Sequence, residues 1–326
     1  MIKEFMTQLS SSKGKSFQVS NWTWILIALG AHTGWGLNPV LGRYLQTISK
    51  LPSLSIIGFS NLIILFILIL VILPRLDIHV FRQPILWLFA IIVLFRGTTN
   101  LISTRFTLAI YVQLINLLTP FEVALISTLF LREKLPRYTW RAILLALFGA
   151  LLMTSADMNG AGLKITLGKS DWIGIGLSCI STLFLALYMI TTRSTVKYAV
   201  SGEALLFSQI ATLALVNTAI SFLTHENWAQ WRAIGLTDWL VFGVYAIGIM
   251  LGSNLGQIFA LRHLSASLVS SLMAWRLVSA LFFAALLLGE RLTSWVQLMG
   301  VVVVLVTITW YLWQQGNQTV PMEAKR

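Results

Sequence analysis

Leu118-Thr119-Pro120-Phe121-Glu122-Val123-Ala124-Leu125-Ile126-Ser127-Thr128-Leu129-Phe130-Leu131-Arg132-Glu133-Lys134-Leu135 is the stretch on which this chain turns. Up to Leu131 it is apolar enough for the inside of a bilayer, yet it carries Pro120 and Glu122 within one turn of each other. Its charged ending returns later as Leu288-Gly289-Glu290-Arg291-Leu292, and each copy is followed by one more long apolar segment. The echo indicates one unit written twice.

Composition sets the solvent. Of 326 residues, 57% are hydrophobic and only 10% charged, with a mean hydropathy of +0.82. A chain this long and this apolar uses lipid as its solvent. Backbone groups in lipid must satisfy one another, so a spanning chain is a helix bundle or a closed barrel. Runs such as 56–73 and 301–313 lack the strict polar alternation of barrel strands. The expected fold is all-α, a polytopic membrane protein.

A hydrocarbon core of about 30 Å takes roughly 20 helical residues. On that measure ten spans are expected, near 22–45, 54–73, 84–105, 109–131, 137–156, 171–191, 204–223, 238–261, 266–288 and 294–313. Trp and Tyr gather at several ends, as interfacial residues do. The connection 224–237, with Trp228 and Trp231, is expected to lie along the membrane surface.

The net charge of +12 does not point to nucleic acid, because the basic residues are scattered over short loops. Counted by side, fourteen Lys and Arg fall with the two termini, seven fall opposite, and Arg96 and Arg276 lie inside spans. Cytoplasmic loops carry the basic excess, so both termini are expected in the cytoplasm and the protein in the plasma (inner) membrane. The polar first twenty residues lack the apolar core of a cleaved leader. A single cysteine, Cys179, leaves no disulfide framework or thiolate cluster.

Around Met158-Asn159-Gly160-Ala161-Gly162 the chain divides. The expected organisation is an N-terminal tail (1–21), a first five-helix repeat (22–157), a linker (158–170), a second repeat (171–313) and a C-terminal tail (314–326). Asn21-Trp22 is echoed by Asp171-Trp172, and Arg43 by Arg193. Because five is odd, the second repeat enters the membrane from the opposite side. Ten helices in two inverted five-helix repeats place a substrate site near the midplane.

Here the residues carry a resemblance. Trp35-Gly36-Leu37-Asn38-Pro39 resembles the WGxNxx opening of the EamA branch of the drug/metabolite transporter superfamily. Pro120 followed by Arg132-Glu133-Lys134-Leu135 is similar to that family's proline and "GE+L" ending, with Arg132 in place of the glycine. Leu264-Ser265-Ala266-Ser267-Leu268-Val269 and Gly289-Glu290-Arg291-Leu292 resemble the same elements of the second repeat, where Leu277 stands in place of its proline. The resemblance implies a ten-helix carrier of small metabolites, commonly an exporter.

Ionisable groups inside a membrane are costly and mark function by default. Arg96, with Gly97, Thr98, Thr99 and Asn100, interrupts the third span. Its planar guanidinium suits a carboxylate or phosphate; alternatively it is a structural ion pair or snorkels outward. Glu122 beside Pro120 is read either as a proton-coupling carboxyl or as the salt-bridge partner of Arg96 or Arg276. Arg276 follows Trp275, whose ring could stack on an organic substrate. Asn254 and Gln257 in the eighth span, Trp35 and Asn38 in the first, and Tyr188 in the sixth complete the expected lining. Pro120, Glu133 and Glu290 are read as structural turn residues, the two acids near the N-terminus of the following helix and beside Lys134 or Arg291. His32 is read as a packed, hydrogen-bonded residue.

Enzyme signatures are missing. His225-Glu226-Asn227-Trp228-Ala229 lacks the second histidine of a zinc-protease helix, and no glycine-rich loop precedes a Lys-Ser/Thr pair. No cofactor or metal is expected, and transport would run on an ion gradient, exchange or downhill flow. The expected partners are a small-molecule metabolite, the bilayer and protons, with no nucleic acid. A membrane-embedded enzyme and a non-transporting interaction protein are the competing readings.

Overall fold

The computed structural model describes residues 21–131, 138–156, 164–165, 168–263, 273–290 and 294–319. They form helices α1 (Asn21–Thr47), α2 (Ser53–Val71), α3 (Pro84–Phe106), α4 (Ala109–Asn116), α5 (Thr119–Leu131), α6 (Thr139–Thr154), α7 (Lys169–Ser194) and α8 (Gly202–Leu223). After these come α9 (Leu236–Gly243), a π-helical stretch (Val244–Ser253), α10 (Asn254–His263), α11 (Ala274–Leu287) and α12 (Trp295–Thr319). With α4 and α5 read as one broken span, and α9 to α10 as another, the elements coincide with the ten expected spans. A short antiparallel ladder joins the end of the first repeat to the linker, Ser155 opposite Ile165 and Ala156 opposite Lys164.

Six of these units are long and apolar enough to cross a membrane: 53–71, 84–106, 109–126, 169–192, 202–223 and 236–260. Helix α1 is longer than any of them, at 27 residues, but carries His32, Asn38 and Gln46, all buried. Its polar side faces protein rather than lipid, which is why composition alone underrates it. Large apolar side chains such as Phe66, Trp87, Leu144 and Phe282 are exposed on the outside of the bundle. In water they would be a liability, and in lipid they are at home.

Helices of the first five spans pack mainly against helices of the last five. The pairs are α3 with α7, α2 with α8, α6 with α12, and α1 with α11, while α1 also meets the π-helical stretch and α10. The broken span formed by α4 and α5 lies against α7, and α4 touches α11. Close approach is secured by Gly36: a Cβ there would stand 2.6 Å from the Arg276 carbonyl and 2.7 Å from Ser279 Cβ. Only glycine lets α1 come so near α11.

The span expected at 109–131 is interrupted at Leu117-Leu118, between α4 and α5. Pro120 is the second residue of α5, where its missing N–H costs nothing. The carbonyl of Asn116 takes a bond from the Thr119 hydroxyl at 2.6 Å. The 224–237 connection is mostly exposed and contains a short 3-10 helix, Trp228–Arg232, with one buried side. Its Trp231 is buried against Phe59 and Phe242, with Nε1 donating to Ser55 Oγ at 3.0 Å.

Candidate functional site

In the middle of the bundle a cavity of about 50 Å³ is bordered by Trp35 and Asn38 of α1, Arg96 and Asn100 of α3, Asn254 of α10 and Arg276 of α11. These six are among the residues expected from sequence. Asn116, Ser181, Gln209 and Tyr245 also border it and are missed by sequence reading. The available signal is a lone amide or hydroxyl within an apolar run, which is too common in helices to single them out. The apolar part of the wall comes from Ile57, Val93, Leu185, Leu213 and Met250.

Arg96 does not snorkel. Its guanidinium lies between two rings, 4.6 Å from the centre of Trp35 and 4.2 Å from that of Tyr188. Tyr188 is fully buried behind it, on α7, which packs along α3. Such stacking on both faces leaves the edge of the fork, with its N–H groups, as the part able to meet a ligand. The alternative of a structural ion pair finds no support among the described residues, where no carboxylate reaches Arg96.

Arg276 also lies near Trp35, 5.7 Å from the ring centre. Its Nε donates to His32 Nδ1 at 2.7 Å and its Nη2 to Gln257 Oε1 at 3.3 Å. Gln257 and His32 therefore hold Arg276, and His32 is the packed, hydrogen-bonded residue expected of it. On the neighbouring helix Gln209 Nε2 donates to Asn254 Oδ1, and Asn254 Nδ2 donates to the Met250 carbonyl at 2.7 Å. That carbonyl belongs to the π-helical stretch, whose wider turn often marks functional sites. Tyr245, in the same stretch, faces Asn38.

Other expected residues lie elsewhere. Trp275 is 45% exposed and donates to Thr33 Oγ1 at 2.8 Å on the outside of α1, so the ring beside Arg276 in sequence points away from the cavity. Thr99 donates back to the Phe95 carbonyl at 2.6 Å, and Thr98 reaches Asn217 of α8 at 2.8 Å. Glu122 neighbours Cys179 of α7. Its Oε2 has no hydrogen-bond partner, and neither interior arginine pairs with it. Pairing with Arg96 or Arg276 is thus not what the fold provides.

Glu133, Lys134 and Arg291 lie outside the described residues, as do residues 264–272. Glu290 reaches across the bundle to Arg43 Nε, at 2.7 Å, and faces the first backbone N–H groups of α4, at Ala109 and Ile110. Gly289, at φ 68°, makes the left-handed turn that carries the chain there. Glu226, the acid of the incomplete zinc-protease pattern, caps α2: Leu54 N and Ser55 N donate to it at 3.1 and 2.8 Å.

Together these observations define a multi-pass helical membrane protein with a small chamber, walled by polar and apolar side chains, between helices from both parts of the chain. Residues 22–155 match the EamA-like transporter family. No curated protein matches the chain. A solved structure described as "Crystal structure of protein" is similar over 91% of this chain and 99% of its own, with a TM-score of 0.63 and 16% identity. At that identity the likeness speaks for the fold alone.

Proposed function

We propose that the chain is a secondary transporter, an exporter of small organic metabolites, working by alternating access between two inverted five-helix repeats. The observation that carries this reading is the chamber itself. It is walled by polar and apolar side chains, sits between helices of both parts of the chain, and at about 50 Å³ has room for only one or two waters. A metabolite enters only if the surrounding helices separate, which is what an alternating-access cycle does.

Helix pairing supports the inverted repeat. Under the expected correspondence, the α1–α11 contact is the counterpart of that between the α4–α5 span and α7, and α3–α7 is the counterpart of the π-helical stretch with α1. The pairs α2–α8 and α6–α12 are each their own counterpart. A pseudo-two-fold axis in the membrane plane requires this pattern.

The test is flux. Cells lacking or overproducing the protein are profiled for metabolites, and the compounds that change are followed in proteoliposomes. A purified protein that moves none of them, while an Arg96→Gln protein is indistinguishable in cells, overturns the reading.

A further inference from the structure

Among the described residues the central chamber brings together two guanidinium groups and no acid. Arg96 and Arg276 have relative exposures of only 6% and 2%. Both lie near Trp35, at 4.6 and 5.7 Å from its ring centre, so their charged carbons are no farther apart than those two distances combined. Neutral groups make up their surroundings: two aromatic rings for Arg96, an imidazole nitrogen and an amide oxygen for Arg276. Among the described residues no Asp or Glu borders the chamber. Burying one uncompensated charge is costly, and burying two of the same sign in one small space is more so.

Leftover hydrogen-bonding groups point the same way. Arginine only donates, so the atom of Gln257 that meets Arg276 is its oxygen, and its Nε2 is left over as a donor. That Nε2 is buried without a partner, and so is Nε1 of Trp35. These two spare N–H donors, together with the arginine N–H groups not already bound to His32 and Gln257, outnumber the one spare amide acceptor on the chamber wall, Gln209 Oε1.

From this arrangement we infer that the chamber binds an organic anion with two negative charges and no ammonium group, the class of dicarboxylates and phosphate monoesters. Two charges balance two guanidiniums, and carboxylate or phosphate oxygens fit planar forks two at a time. A free ammonium would meet two like charges and no carboxylate. The carbon skeleton rests on Val93, Leu185, Leu213 and Met250. The inference rests on the transporter reading for the ligand's passage, but not for its binding.

The test uses the purified full chain in detergent and in liposomes, with succinate, glycerol phosphate, propionate and alanine as probes. Ligand-induced thermal stabilisation reads binding, and counterflow reads passage. Succinate or glycerol phosphate is expected to stabilise the protein at millimolar concentration more than propionate and far more than alanine. Response to succinate alone assigns a dicarboxylate, and response to glycerol phosphate alone assigns a phosphate ester. Arg96→Gln and Arg276→Gln should each weaken dianion binding about tenfold or more while affecting propionate less. Should either fail to insert, Arg96→Lys and Arg276→Lys keep the charge and should still prefer a dianion to alanine. Dianions that bind through these arginines but never cross uphold the site and overturn transport. Alanine binding or crossing better than the dianions overturns the substrate class and leaves transport standing. No stabilisation by any dianion overturns the inference outright.

Discussion

Arg43 Nε lies 2.7 Å from Glu290 Oε1, tying the end of α1 to the turn after α11. The same guanidinium donates through Nη1 to the carbonyls of Thr104 and Thr107, at 3.0 and 2.6 Å. Thr107 Oγ1 in turn donates to Asp171 Oδ1, at the start of α7, at 2.7 Å. Four elements from both parts of the chain are laced together at one end of the bundle. Ser49 with Asp238 (2.6 Å) and Glu226 on α2 add to the same end. Together these bonds form a latch across one end of the bundle.

Breaking the latch should loosen that end of the bundle and admit water to the chamber. In an Arg43→Gln protein, a single cysteine placed at Asn100 should be labelled several-fold faster by a water-soluble reagent. Because the pair is partly exposed, the expected stability loss is about 1–3 kcal/mol, below that of a fully buried pair. Unchanged labelling in a folded variant would rule out a gating role.

The latch should also respond to pH. Burial holds the Glu290 carboxyl above its ordinary value, although Arg43 and the backbone N–H groups of Ala109 and Ile110 pull it back down. An acid raised in this way keeps its proton in the folded state after the unfolded chain has lost it. Its contribution to stability therefore falls as pH rises from the ordinary carboxylate value to the raised one. The charged bridge, by contrast, exists only above the raised value. Acidification into that window should accelerate labelling at position 100 without a loss of thermal stability traceable to Glu290. Glu290→Gln should remove the pH response, and its persistence in that variant would assign the effect to another group.

Arg96→Gln should abolish or strongly weaken flux while leaving insertion intact. With no carboxylate among the described residues facing Arg96, the change strands no buried acid there. It removes one of two neighbouring positive charges and a stacking interaction of about 0.5–2 kcal/mol. Thermal unfolding and flux on the same preparation check this, and normal transport by a well-expressed variant ends the site assignment.

Glu122→Gln separates proton coupling from structure. A carboxyl paired with a buried arginine would cost about 3–5 kcal/mol to lose, but Glu122 neighbours Cys179 and pairs with neither arginine. The variant should fold normally. If Glu122 carries the coupled proton, accumulation driven by a pH gradient disappears while exchange of substrate across the membrane continues. An unaltered response to the gradient would end the coupling idea.

Gly36→Ala should destabilise the protein by about 1–3 kcal/mol, since the added methyl is forced against the Arg276 backbone and Ser279. Gly30→Ala is the control on the same helix, because its Cβ would meet nothing within 4 Å. Thermal unfolding of the pair in one detergent decides the matter, and equal midpoints would contradict the packing described for α1 and α11.

Much of this protein is legible in its sequence, because the sequence shows what the bilayer penalises. Long apolar runs had to be spans, and Arg96, Asn100, Asn254 and Arg276 had to be hidden from lipid, whatever the packing. The repeated Glu-plus-basic turn was visible for the same reason, as charge between apolar runs. Facing and partnership depend instead on how each helix is rotated and how closely it approaches its neighbours. Trp275 and Arg276 are adjacent in sequence, yet about 100° apart around α11, and close packing at Gly36 turns one outward and the other into the chamber. The same rotation leaves Glu122 beside Cys179 rather than an arginine and puts Tyr188 under Arg96. Glu290 finds Arg43 only because the turn at Gly289 aims it across the bundle. Composition determined which residues must be buried, and helix contact decided whom they meet.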